Sequence, residues 1–162
     1  MPLGGLILRQ AGARRSLATL TSGPSPEDIT RYITETYADT VVAVAGGGTF
    51  FSCDDSHWPN FATLVTTDEF DASSNLGRDG VFRLNIGVSP DTFDRLVGDQ
   101  TAPDYTALDR IIPHPVYAPQ QWIAVLNPSD ETFETSKALL EEAHGRVAAI
   151  AKSRRAVRPP AP

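Results

Sequence analysis

From Ser25 onward the spacing of hydrophobic positions changes several times, and each change marks an element. Ile29, Ile33 and Tyr37, with Tyr32 beside them, recur at the helical interval that lines up one face. They follow Ser25, a good N-cap, then Pro26, which fits the first helical position. Glu27 and Asp28 next favour the positive end of the helix dipole. A helix is therefore predicted over residues 26–38. Thr40–Ala45 (TVVAVA) and Thr49–Cys53 flank Gly46-Gly47-Gly48, so two strands joined by a glycine turn form a hairpin. Phe61–Thr67 (FATLVTT) predicts a third strand and Val81–Val88 (VFRLNIGV) a fourth. This fourth strand alternates most cleanly: Phe82, Leu84, Ile86 and Val88 point one way, Arg83, Asn85 and Gly87 the other. Trp122–Asn127 (WIAVLN) reads as a fifth.

Two further helices complete the pattern. Ser89 caps a short one from Pro90 to about Val97, and a long, proline-studded connection runs from Gly98 to Gln121. The closing helix spans about residues 130–151, with Phe133, Leu140, Ala143, Val147 and Ile150 in one apolar stripe. Glu134, Glu141, Glu142 and Arg146 fall outside that stripe. The order is α-β-β-β-β-α-β-α. It predicts a single α+β domain over residues 26–151, with an antiparallel sheet of about five strands and helices packed on one face. Residues 1–25 hold three arginines and no acid, and read as a disordered leader. Residues 152–162 read as a basic, proline-rich tail.

Charge narrows the function. All 20 acidic residues lie between Glu27 and Glu142, and the body from 27 to 146 holds only seven basic ones, a balance of −13. Such a body repels a phosphate backbone, so nucleic acid binding is disfavoured. Cys53 is the single cysteine, so no internal disulfide can form, and a reducing, cytoplasmic setting is expected. No apolar run reaches the ~18 residues of a membrane span.

Several blocks in order carry a resemblance: FATLVTT (61–67), GVFRLNIGVSPDTF (80–93), YTAL (105–108), PHPVYA (113–118) and WIAVLNP (122–128). On these the chain resembles a bacterial family known only as domain of unknown function 6194, which brings no activity with it. Element order, the strand-to-helix run FRLNIGVSPDTFDRLV, Trp122 and the long last helix also resemble the MmcQ/YjbR-like proteins. Members of that group are often labelled DNA-binding. The acidic body here, without a basic helix, departs from what such a label needs.

No P-loop, GxSxG, HExxH or CxxC signature occurs. Gly46–Gly48 lacks the residues that would follow a phosphate cradle and suits a hairpin turn. Asp54, Asp55 and His57, beside Cys53, are ligand types for a divalent metal, but adjacent carboxylates on a loop more commonly form a solvated turn. No metal or cofactor is therefore expected. Cys53 could be a nucleophile served by His57, though a small buried residue at a strand end is the simpler reading.

The richest stretch is Tyr105–Trp122. It gathers Tyr105, Asp109, Arg110, His114, Tyr117 and Trp122 on one long connection, with His114 braced between Pro113 and Pro115. Folded across the polar face of the fourth strand, it would make a small-molecule pocket. Arg83 would then be an anion anchor, and Asn85, Tyr105 and Trp122 binding residues. His114 would be a general acid/base assisted by Asp109 or Tyr117. The alternative is structural, with His114 and the tyrosines pinning the loop and Arg83 paired with a carboxylate. Three functions follow: a small-molecule-binding or accessory protein, a small enzyme, or an acidic module for a protein partner.

Overall fold

The computed structural model describes residues 23–161, so most of the expected leader lies outside the described residues. Helix α1 (Pro26–Thr36) begins as its sequence dictates. The Ser25 hydroxyl accepts from the Asp28 amide at 3.1 Å, and the Asp28 carboxylate accepts from the Ser25 amide at 3.1 Å, a reciprocal capping box. Strands β1 (Val41–Ala45) and β2 (Gly48–Ser52) form the hairpin. Its central residues Gly46 and Gly47 have φ of 57° and 75°, a pair of left-handed conformations that glycine adopts without steric cost.

Strands β3 (Asn60–Val65), β4 (Arg83–Gly87), β5 (Ile111–Pro113) and β6 (Trp122–Leu126) complete an antiparallel sheet in the order β1-β2-β3-β4-β6-β5. The sheet thus has six strands rather than five. The extra one, β5, lies inside the segment read as a loop. It is three residues long and ends in proline, so alternation could not reveal it. As an edge strand it tolerates a residue without an N–H. Helix α2 (Pro90–Val97) and helix α3 (Asp130–Val157) follow as expected, except that α3 continues past Ala151 to Val157. The added turns are held by side chains that the sequence had suggested for a tail. Arg154 donates to the Trp58 carbonyl at 2.8 Å and Arg155 to the Cys53 carbonyl at 3.0 Å. Ile150, placed in the apolar stripe by spacing, is instead exposed, and Ala151 is buried in its stead.

The sheet separates two environments. On the helix side, Ile29 and Ile33 of α1, Val97 of α2 and Leu140, Ala143 and Val147 of α3 pack on Phe51, Phe61, Leu84, Ile86 and Ile123. On the other side no helix of the described residues packs. Register there aligns Phe50, Thr63, Asn85, Ala124 and Ile112 in one row, with Val65, Arg83 and Leu126 in the row beside it. A second, smaller cluster (Val65, Leu76, Val81, Ile112, Ala124 and Leu126) fills part of that face. The rest stays open, and the polar pair of β4 sits at its centre.

Candidate functional site

Alternation along β4 sends Leu84 and Ile86 to the helix side and leaves Arg83 and Asn85 on the open face. Both are buried, and Arg83 is only 1% exposed. A buried guanidinium needs a counter-charge, and Asp71 supplies it from the connection between β3 and β4. Its two oxygens accept from Nη1 at 3.2 Å and from Nη2 at 2.7 Å, a fork-on-fork pair. Ser74 Oγ accepts from Nη1 at 2.9 Å, and Asn85 Oδ1 accepts from Nε at 2.9 Å. Asn85 in turn donates to Thr63 Oγ1 at 2.9 Å. The charge next to Asp71 holds its carboxyl below the usual value, through the Arg83 hydrogen bonds first, against the opposing effect of burial. Arg83 is therefore neutralised within the fold. Four of its five N–H groups are committed, as in the alternative reading that pairs Arg83 with a carboxylate, and one on Nη2 is left over.

His114 meets this network from the other direction, immediately after β5. The turn between Pro113 and the short 3₁₀ segment Ala118–Gln120 folds back over its own imidazole. The amides of Val116 and Tyr117 both donate to Nδ1 at 3.0 Å. Two donors on Nδ1 require a lone pair there, so the neutral ring carries its hydrogen on Nε2. Burial, and then the neighbouring Arg83 charge, push the imidazole down to about 4, against the pull of Asp71. The ring is thus neutral at pH 7, with Nε2–H as its one remaining polar group. That group stands 3.5 Å from Arg83 Nη2, which is also a donor. Two donors face each other, and among the described residues no acceptor stands between them.

Arg83, Asn85, His114, Tyr117 and Trp122 all line one cavity of about 270 Å³. Asp71 and Thr63 join them at its polar base. Its rim is apolar: Phe50, Trp58, Phe70 and Val116 line it with Tyr117 and Trp122. Four of these (Trp58, Phe70, Val116 and Tyr117) are among the large apolar side chains that the protein leaves exposed, Trp58 by 64%. Trp122 lies flat against the bare backbone of Gly87, its register partner on β4. Scattered exposed apolar residues are ordinary, whereas here several gather around one concavity.

Three of the residues singled out on the long connection, Tyr105, Asp109 and the exposed Arg110, do not line the cavity. Asp109 has φ of 56°, and its carboxylate accepts from the Ser129 amide at 2.7 Å, beside the start of α3. It braces that helix and cannot assist His114. Tyr105 packs with Leu108 against the second apolar cluster. His114 is itself unsuited to general base chemistry, since the only lone pair on its ring is already shared by two backbone N–H groups. Trp58, between the hairpin and β3, stands on the rim. Asp71, Ser74 and Phe70 were not anticipated. The only signal for them was the run DEFDASSN (68–75), whose composition is that of any turn.

At the hairpin, Gly46 and Gly47 form the turn and Gly48 opens β2. Asp55 and His57 are exposed, so Cys53 and His57 do not form a buried nucleophile–base pair; Cys53 is a buried strand-end residue. No helix among the described residues is long and apolar enough to cross a membrane.

Fold and cavity together define a small α+β protein with a preformed concavity on the uncovered face of an antiparallel sheet. The chain belongs to DUF6194, a family of unknown function, whose model matches residues 24–156. No curated protein and no solved structure matches it. The more distant resemblance to MmcQ/YjbR-like proteins gains nothing from these comparisons.

Proposed function

We propose that this protein is a small-molecule-binding module, without proton-transfer chemistry of its own, and that its ligand occupies the cavity over β4. The observation that carries the reading is the pair of facing donors, His114 Nε2–H and Arg83 Nη2–H, at the polar base of a pocket with an apolar rim. Buried donors without an acceptor cost roughly 1–3 kcal/mol. A carbonyl or carboxyl oxygen placed between them would remove that cost. Because Asp71 already balances Arg83, an uncharged carbonyl suits the site as well as a carboxylate. The volume lies near the lower end of the roughly 300–1,000 Å³ typical of ligand pockets, which favours a compact molecule. The aromatic rim favours a flat, apolar body.

Thermal-shift and ligand-observed NMR measurements on a panel of compact aromatic amides, ketones and carboxylates, with matched hydrocarbons, test this. The oxygen-bearing members should raise the melting temperature of wild type, while their hydrocarbon counterparts do so weakly. Tyr117→Ala, at the exposed rim, should weaken that shift without unfolding the protein. If no panel member stabilises wild type, the reading fails.

A further inference from the structure

On the helix side of the sheet, away from the face that carries the cavity, three metal-ligating groups converge from three separate elements. Asp39 comes from the turn between α1 and β1, Cys53 from the end of β2, and His144 from the middle of α3. Their ligand atoms all lie within 4.8 Å of one another. From these we propose a second site: a metal centre in which Cys53 Sγ, a His144 ring nitrogen and an Asp39 carboxylate oxygen bind a zinc-class divalent cation.

The donor set selects the metal. A thiolate with an imidazole suits zinc or its spectroscopic substitute cobalt, while calcium and magnesium prefer oxygen alone. Zinc bonds of about 2.0–2.3 Å in a tetrahedron put ligand atoms about 3.3–3.6 Å apart. The observed cluster needs only small side-chain adjustments to reach this. The 2.7 Å contact between His144 Nε2 and Asp39 Oδ1 lengthens, and the sulfur closes in.

The surroundings favour the same reading. Cys53 is 1% exposed, and among the described residues its thiol makes no hydrogen bond, so it is a buried polar group aimed at the other two ligands. The His144 ring is held in place by stacking on Tyr37 (centroids 4.3 Å apart) and by edge contact with Phe61 (5.3 Å). That packing keeps a metal-binding imidazole oriented. Asp39 is exposed, which leaves one side of the cluster open for a water or exogenous ligand as the fourth donor. The nearby Asp54, Asp55 and His57, the metal candidates visible in the sequence, do not join the cluster.

The test uses the full chain, stripped with chelator and dialysed. Cobalt(II) titration should produce a thiolate-to-cobalt charge-transfer band in the near ultraviolet together with intense tetrahedral ligand-field bands. Zinc should displace the cobalt and raise the melting temperature of the protein. Cys53→Ser and Cys53→Ala should both abolish the charge-transfer band. His144→Gln and Asp39→Asn should each weaken cobalt binding by about tenfold or more. His57→Ala should leave affinity and spectrum unchanged. Because the wild-type spectrum requires no variant to fold, absence of a charge-transfer band in wild type overturns the proposal. So does a His57→Ala variant that loses the signal while His144→Gln keeps it.

Discussion

Replacing Asp71 probes the network that shapes the cavity. In Asp71→Ala the Arg83 guanidinium stays 1% exposed but loses both carboxylate bonds, at 2.7 and 3.2 Å, and keeps only Ser74 and Asn85. At the closer distance a unit pair is worth about 6 kcal/mol at an effective dielectric of about 20, before the cost of desolvating both ions is subtracted. Breaking one side of such a buried pair typically costs about 3–5 kcal/mol. For a chain of this size that corresponds to a fall in melting temperature of roughly 6–20 °C. The sharper measurement is a double variant. Arg83→Met in the Asp71→Ala background removes the stranded charge, so urea denaturation should find the double variant more stable than Asp71→Ala alone. A single-variant cost below about 1 kcal/mol, or a double variant less stable than Asp71→Ala, would refute the argument that an internal counter-charge holds Arg83.

Further expectations concern the same region and the hairpin. In the unfolded chain His114 titrates near 6.5, whereas in the fold it titrates at about 4. Between those values the unfolded state holds the proton and the folded state does not, so stability falls as pH drops through this window, by about 3 kcal/mol in all. The depressed Asp71 carboxyl acts only below its ordinary 3.8, outside that window. Denaturation curves from pH 7.5 to 4 should accordingly show the cost of His114→Ala shrinking as pH falls; a constant cost would contradict the assignment. At Gly87, an added Cβ would stand 3.1–3.2 Å from Trp122 ring carbons, so Gly87→Ala should displace that ring and alter tryptophan emission more than stability. At Gly47, φ of 75° and an approach of 2.5 Å to Thr67 Cγ2 make Gly47→Ala costly, by about 1–3 kcal/mol in chemical denaturation.

The elements built from local signals were legible in the amino-acid order. Ser25 and Pro26 announce a helix start, Gly46-Gly47-Gly48 a hairpin turn, and VFRLNIGV a strand with one polar face. Each depends on neighbours a few positions away, so the chain states it directly. That alternation also placed Arg83 and Asn85 together, and the prolines around His114 marked a constrained segment. Tertiary structure alone decided what those residues meet. Asp71 reaches Arg83 across 12 positions and His114 reaches it across 31, distances over which no periodicity carries information. The same holds for β5, whose existence depends on β6 as a partner, and for Cys53, Asp39 and His144, which converge only because the last helix packs on the sheet beside the end of β2 and the turn before β1. The roles open to Arg83 and His114 depend on which groups fill their hydrogen-bonding valences. Those groups arrive from elsewhere in the chain.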